Sequence, residues 1–92
     1  MTILDDFQQW LKSKGYTELT EKGNPSTVYD YAKRVENVCK NENISLEELI
    51  KNIDTIVTKY NLGGEKEEAG QASHAAVINA LKRFKEFLED QK

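Results

Sequence analysis

The sequence predicts an all-α protein, a compact bundle of four or five helices around one core. Three observations predict it. Apolar residues recur at three- and four-residue intervals through four stretches, and helix caps and stop signals bracket those stretches. No segment alternates apolar and polar residues with β-branched enrichment over a strand's length. The chain has 92 residues, 38% of them hydrophobic and 32% charged, so one helical domain over 1–92 is the expected organisation. Three Phe, four Tyr and one Trp, with many Leu, Ile and Val, supply enough apolar surface for a single core.

The first helix opens at Thr2, an N-cap with Asp5 three residues on, and Ile3, Phe7, Trp10 and Leu11 follow at helical spacing. Trp10 is expected in the core. Gly15 supplies the left-handed residue that ends the helix, and the stretch from Thr17 to Gly23 has no period and reads as a loop. The second helix opens at Asn24-Pro25, because Asn caps free N–H groups and Pro lacks the N–H that would otherwise go unpaired in the first turn. Val28, Tyr31, Ala32, Val35, Val38 and Cys39 form its apolar stripe, opposite Asp30, Lys33, Arg34, Asn37 and Lys40. Tyr29 lies beside that stripe, either covering the bundle edge or free to stack on a partner. Asn41-Glu42-Asn43 ends the helix.

Ser45 and Glu48 make a capping box, with Ile44 and Leu49 as its hydrophobic staple. The third helix then runs on Leu46, Leu49, Ile50, Ile53, Ile56, Val57 and Tyr60, and Asn52 and Asp54 mark a possible break into two. Asn61-Leu62-Gly63-Gly64 stops it, and the polar run from Glu65 to Gln71, which contains Gly70, reads as a flexible loop. Ser73 caps the last helix, whose buried stripe is Val77, Ala80, Leu81, Phe84, Phe87 and Leu88. Ile78 falls toward its polar side. It is either an exposed apolar contact for another protein or part of a widened core stripe.

The chemistry a catalyst needs does not assemble along the chain. One histidine, His74, has no marked nucleophile or orienting acid, and Gly63-Gly64 is not followed by the Gly-Lys-Ser/Thr of a phosphate loop. Glu65, Glu67 and Glu68 lack the alternate spacing of a calcium loop. Cys39 is the single cysteine, so an intrachain disulfide is impossible, and its apolar register makes it a small core residue. The expectations are no enzyme activity, no metal or other cofactor and no small-molecule substrate. The acidic N-terminus and the lack of an apolar run of ~20 residues predict a cytoplasmic protein with no membrane contact.

At the second helix the sequence becomes more specific. Asn24-Pro25-Ser26-Thr27 followed by Tyr31, Val35 and Val38, then Ile44-Ser45 with Glu47, then Ser73 through Phe84, Phe87 and Leu88, resembles the N-terminal core-binding domain of tyrosine recombinases. This is also called the phage-integrase SAM-like domain. The similarity spans about residues 3–90 and rests on core positions and caps. It implies a helical bundle forming half of a clamp on DNA, with the polar faces of the second and last helices as the contact surface. On this sequence the implied contacts are Lys33, Arg34, Lys40, Lys82, Arg83 and Lys85, joined by Ser26, Thr27, Ser73, His74 and Asn79 as partners for phosphate or base edges. The family's catalytic residues belong to a separate C-terminal domain, so the resemblance implies no cleavage activity here.

The charge balance qualifies that implication. The net charge is −3, and residues 44–72 hold six acids against three bases. Phosphate neutralisation dominates DNA affinity, so binding by this chain is expected to be weak and salt-sensitive. The acids also support a second reading, a phage or mobile-element module that binds and modulates a bacterial protein through Glu65, Glu67, Glu68 and Ile78.

Overall fold

The computed structural model describes residues 3–16 and 27–91, with backbone only at 73 and 74. Five helices account for nearly all of it: α1 (Ile3–Ser13), α2 (Thr27–Glu42), α3 (Leu46–Lys51), α4 (Ile53–Tyr60) and α5 (Glu67–Asp90). No strand occurs among the described residues. The all-α bundle expected from periodicity is what forms. The Asn24-Pro25 opening of the second helix and the loop before it lie outside the described residues, which resume at Thr27.

Helix ends follow from local chemistry. Gly15, at φ 95°, closes α1: Tyr16 N–H reaches the Leu11 carbonyl and Gly15 N–H the Lys12 carbonyl, each at 3.1 Å. Asn43, at φ 55°, does the same for α2, with Ile44 N–H on the Cys39 carbonyl at 3.0 Å and Asn43 N–H on the Lys40 carbonyl at 3.2 Å. Both are Schellman closures, in which a left-handed residue lets two otherwise orphaned carbonyls be paired. The Ser45–Glu48 capping box forms at the start of α3. Asn52 separates α3 from α4, so the possible break in the third predicted helix is real, and the Asn52 amide donates to the Glu48 carbonyl at 2.9 Å.

The polar run after α4 is a correction. Residues expected as a loop up to Gln71 are helical from Glu67, and Lys66 rather than Ser73 occupies the cap position of α5. Glu67 and Glu68 sit in the first turn, where carboxylates favour the positive end of the helix dipole, and Glu67 accepts the Gly63 N–H at 2.6 Å. Gly70 is required by packing. A Cβ there would overlap the Tyr60 carbonyl oxygen, because α5 crosses the end of α4 at backbone contact. Within α5, Ala75 has φ 66°, a left-handed conformation that a Cβ disfavours.

The core gathers Phe7 and Leu11 of α1, Val28, Ala32, Val35, Val38 and Cys39 of α2, Leu49, Ile56 and Tyr60 of α3 and α4, and five residues of α5. Phe7 meets Phe84 edge-on at 5.1 Å and Phe87 at 5.5 Å between ring centroids, which fixes α1 against α5. Of the two readings of Ile78, the widened core stripe holds: the side chain is 2% exposed and belongs to the core, while Val77 and Leu88 are only partly buried. Trp10 is half-buried rather than core: its ring packs on Phe87 while its indole N–H donates to Asp90 at 2.7 Å.

A polar clasp closes the opposite end. Glu42, its side chain 9% exposed, accepts from Lys59 Nζ at 2.6 Å and from the Tyr60 hydroxyl at 2.8 Å. The Lys59 ammonium holds the Glu42 carboxyl below its ordinary range, and the pairing raises Lys59. Burial, reinforced by the Glu42 hydrogen bond, pushes the Tyr60 phenol up. This clasp ties the last turn of α2 to the last turn of α4, and through Gly70 to the start of α5. Because Tyr31, near the start of α2, lies beside Arg83 far along α5, the two long helices run antiparallel.

Candidate nucleic-acid interface

The two helices that the resemblance names, α2 and α5, pack directly on one another. Their basic residues do not share one surface. Successive helical residues turn by about 100°, so Arg83 and Lys85 point roughly 160° apart, as do Asp30 and Ala32. The contacts agree. Arg83 faces α1 and α2, where it approaches the Tyr16 hydroxyl at 3.5 Å, whereas Lys85 faces α4 and pairs with Asp54 at 2.9 Å. Lys82, half-exposed, lies between those flanks. The basic cluster expected from Lys82, Arg83 and Lys85 is therefore fanned around the helix.

On α2 a similar division holds. Lys33 and Lys40, two turns apart, line a groove between α1, α2 and α3 together with Tyr29 and Leu4. That groove continues into a cavity of about 630 Å³ floored by Leu4, Cys39, Ile44 and Leu46. Tyr29 is half-buried there, and Lys40 pairs with Glu36 at 3.3 Å. Burial pushes the Cys39 thiol up, which keeps it in the unreactive protonated form. Arg34 lies on the other flank with Thr27 and Tyr31, which precede it by seven and three residues.

That second flank is where the two helices bring predicted residues together. Tyr16 and Tyr31 pack ring to ring at 5.9 Å, and Arg83 stands beside both. Asn79, exposed, lies one turn before Arg83 on the same flank of α5. Tyr16 after α1, Tyr31 of α2 and Arg83 of α5 thus meet at one α2/α5 seam, with Thr27 and Arg34 on the same flank of α2 and Asn79 on the same flank of α5. Burial followed by the neighbouring Tyr16 raises the Tyr31 phenol, and the Tyr16 hydrogen bond raises the Arg83 guanidinium, so both keep their protons at neutral pH. Arg83 Nε is buried with no hydrogen-bond partner among the described residues, and the outer nitrogens of the fork hold Tyr16 and Glu86.

Each seam arginine also has an acid from its own helix. Asp30 Oδ2 meets Arg34 Nε at 2.9 Å, and Glu86 Oε1 meets Arg83 Nη2 at 3.1 Å. Tyr16, Asp30 and Glu86 were absent from the residues the resemblance implied. The two ion pairs were nevertheless legible at spacings of four and three residues. Of the remaining implied contacts, Ser26 and the side chains of Ser73 and His74 lie outside the described residues.

The acidic residues of the alternative surface gather at the turn from α4 into α5. Glu65 and Glu68 are exposed there, Glu67 is half-buried, and Leu62 beside them is a large apolar side chain 72% exposed. Ile78 does not reach that surface, being in the core. Among the described residues no group of three or more His, Cys, Asp or Glu is placed to hold a metal ion, and no helix is long and apolar enough to cross a membrane. Compared with protein-family models, with curated proteins and with solved structures, the chain matches none.

Proposed function

We propose that this chain is a non-catalytic helical module that lays the α2/α5 seam against duplex DNA, as its resemblance to the core-binding domain of tyrosine recombinases implies. The observation that supports this reading is the meeting of Arg83 of α5 with Tyr31 of α2 and Tyr16, with Thr27 and Arg34 on the same flank of α2 and Asn79 one turn from Arg83. A guanidinium matches the geometry of a phosphate oxygen pair, a hydroxyl or amide fixes register on the backbone, and an exposed Asn reaches adenine edges. With a net charge of −3 the module lacks long-range attraction, so binding is weak and falls steeply with salt. Fluorescence anisotropy with a labelled duplex at low salt tests it. Binding lost in R34E/R83E and kept in K33E/K40E supports the seam; no binding at tens of micromolar overturns the reading.

One observation favours a protein partner instead: the exposed Leu62 beside Glu65 and Glu68, an apolar knob in an acidic setting suited to a basic groove. Under this reading the module docks through the α4–α5 turn and modulates the protein it meets. Capture of a partner by wild type but not by L62D, with R34E/R83E unaffected, would select it over DNA.

A further inference from the structure

We infer that the end of the bundle where α1 and α5 stop together holds a seat for a guanidinium, the side chain of an arginine on a basic partner protein. It goes beyond the DNA contact, which leaves Trp10, Glu89 and Asp90 without a role.

α1 and α5 run parallel along their shared contact. Phe7 packs on Phe84 and Phe87, and one turn further Trp10 packs on Phe87 and donates to Asp90. Their C-terminal ends therefore meet, and with them the negative ends of two helix dipoles. A cavity of about 380 Å³ opens at that junction, with Trp10, Lys14 and Tyr16 on one wall and Glu86, Glu89 and Asp90 on the other. That volume lies within the range of small-ligand pockets.

The fold does not explain these acids. A helix C-terminus favours bases, yet the last turn of α5 holds Glu89 and Asp90 and no base. Lys14 shows what the cavity attracts. Its ammonium lies 3.6 Å from Asp90 Oδ2 and 5.6 Å from the centre of the Trp10 ring, so one cation reaches a carboxylate and an aromatic face together. With Lys14 in place the lining still counts three acids to one base, and the cavity is still open. Acceptor capacity remains as well. The contacts of Asp90 with Trp10 and Lys14 both use Oδ2, and Glu86 meets Arg83 through Oε1, whereas a carboxylate offers about four acceptor positions. A second cation therefore enters beside Lys14 without displacing it.

Shape selects the kind of cation. Glu86 and Asp90 stand one helical turn apart on one face, and among the described residues no group of three or more acids is placed to hold a metal ion. Carboxylates spread along a turn beside aromatic rings suit a planar group with several fixed donors. A guanidinium has five N–H groups and stacks on aromatic faces, whereas an ammonium is a compact point charge. Arg83 displays the same match inside the protein, reaching Glu86 at 3.1 Å and the Tyr16 hydroxyl at 3.5 Å.

The test titrates end-blocked peptides of glycine alternating with arginine, lysine or citrulline into the chain, followed by Trp10 fluorescence and by backbone and indole N–H resonances. The arginine peptide is expected to shift the Trp10 indole and the last turns of α1 and α5, and to bind about threefold tighter than the lysine peptide. The uncharged citrulline peptide should leave them unmoved. E86Q/D90N is expected to weaken binding about fivefold and the charge-matched E65Q/E68Q to stay within about twofold of wild type, with thermal melts confirming that each is folded. No binding of the arginine peptide at about 10 mM would overturn the seat. So would equal weakening in both variants, since net charge alone would then explain it, and equal affinity for lysine would overturn the guanidinium assignment. The wild-type shift map needs no variant: shifts centred on Leu62 to Glu68 with Trp10 unmoved would also refute the seat.

Discussion

Replacing Glu42 isolates the clasp that ties the end of α2 to the end of α4. In the folded chain one carboxylate accepts from both Lys59, at 2.6 Å, and the Tyr60 hydroxyl, at 2.8 Å. Glu42→Ala removes both acceptors. Tyr60 is 1% exposed, so its hydroxyl is left without a partner, at a cost of about 1–3 kcal/mol. Lys59 turns to water, so the loss of its partner adds little. The expected cost of about 1–3 kcal/mol is a large share of the roughly 5–14 kcal/mol expected for a domain of this size. Glu42→Gln keeps an acceptor for Tyr60 and loses the charge, so it should cost about 1–2 kcal/mol at neutral pH.

The pH dependence gives the sharper result. The folded-state carboxyl of Glu42 titrates below its unfolded value, so its contribution is complete above the unfolded pKa of about 4.3 and disappears as pH falls through the folded pKa. Urea titrations followed by the fluorescence of Trp10, the single tryptophan, should show wild type and Glu42→Gln separated at pH 7 and converging toward pH 3. A constant gap across that range, or a gap below about 0.5 kcal/mol at pH 7, would refute the clasp.

Three further substitutions test the packing that carries α5. Gly70→Ala gains helix propensity but drives a Cβ into the Tyr60 carbonyl, so a net loss of about 1–3 kcal/mol is expected in urea, and a stabilised variant would contradict the close approach. Ala75→Gly removes the left-handed strain and should stabilise by about 1 kcal/mol, read as a rise in Tm; a loss, as in an ordinary helix interior, would contradict it. Ile78→Ala should cost about 2–4 kcal/mol because the side chain is 2% exposed, whereas an exposed isoleucine would tolerate the change nearly without effect.

What could be read in advance divides along a physical line. Caps, stops and periodicity act within a few residues, so Gly15, Asn43, the Ser45–Glu48 box and the stripe of α2 were all visible in the sequence. The start of α5 was not. Its first turns look like a loop because they are polar and contain Gly70, and what makes them helical is a tertiary contact, the backbone of α5 resting on Tyr60. Ile78 is buried for a related reason: α5 is covered on more than one side, by α4 as well as α2, so its apolar stripe broadens. The basic residues illustrate the limit most clearly. Arg83 and Lys85 are two apart in sequence, yet a two-residue step on a helix separates side chains rather than clustering them, so Lys85 falls nearer Lys82 than Arg83.

The division of those bases changes what the net charge means. A count of charges treats every lysine and arginine as available for phosphate, and by that count the chain is a poor DNA ligand. Pairing alters the count unevenly. Lys85 is committed to Asp54 across helices and Lys59 to the clasp, so both serve the fold. Among the described residues Arg34 and Arg83 form ion pairs with acids of their own helices, each more exposed than its partner. Net charge governs the long-range approach to a polyanion, while a contact depends on the groups that face it. The excess acid gathers away from these two arginines, at the α4–α5 turn with Glu65 and Glu68, so the net charge of the chain does not describe the flank on which the arginines lie.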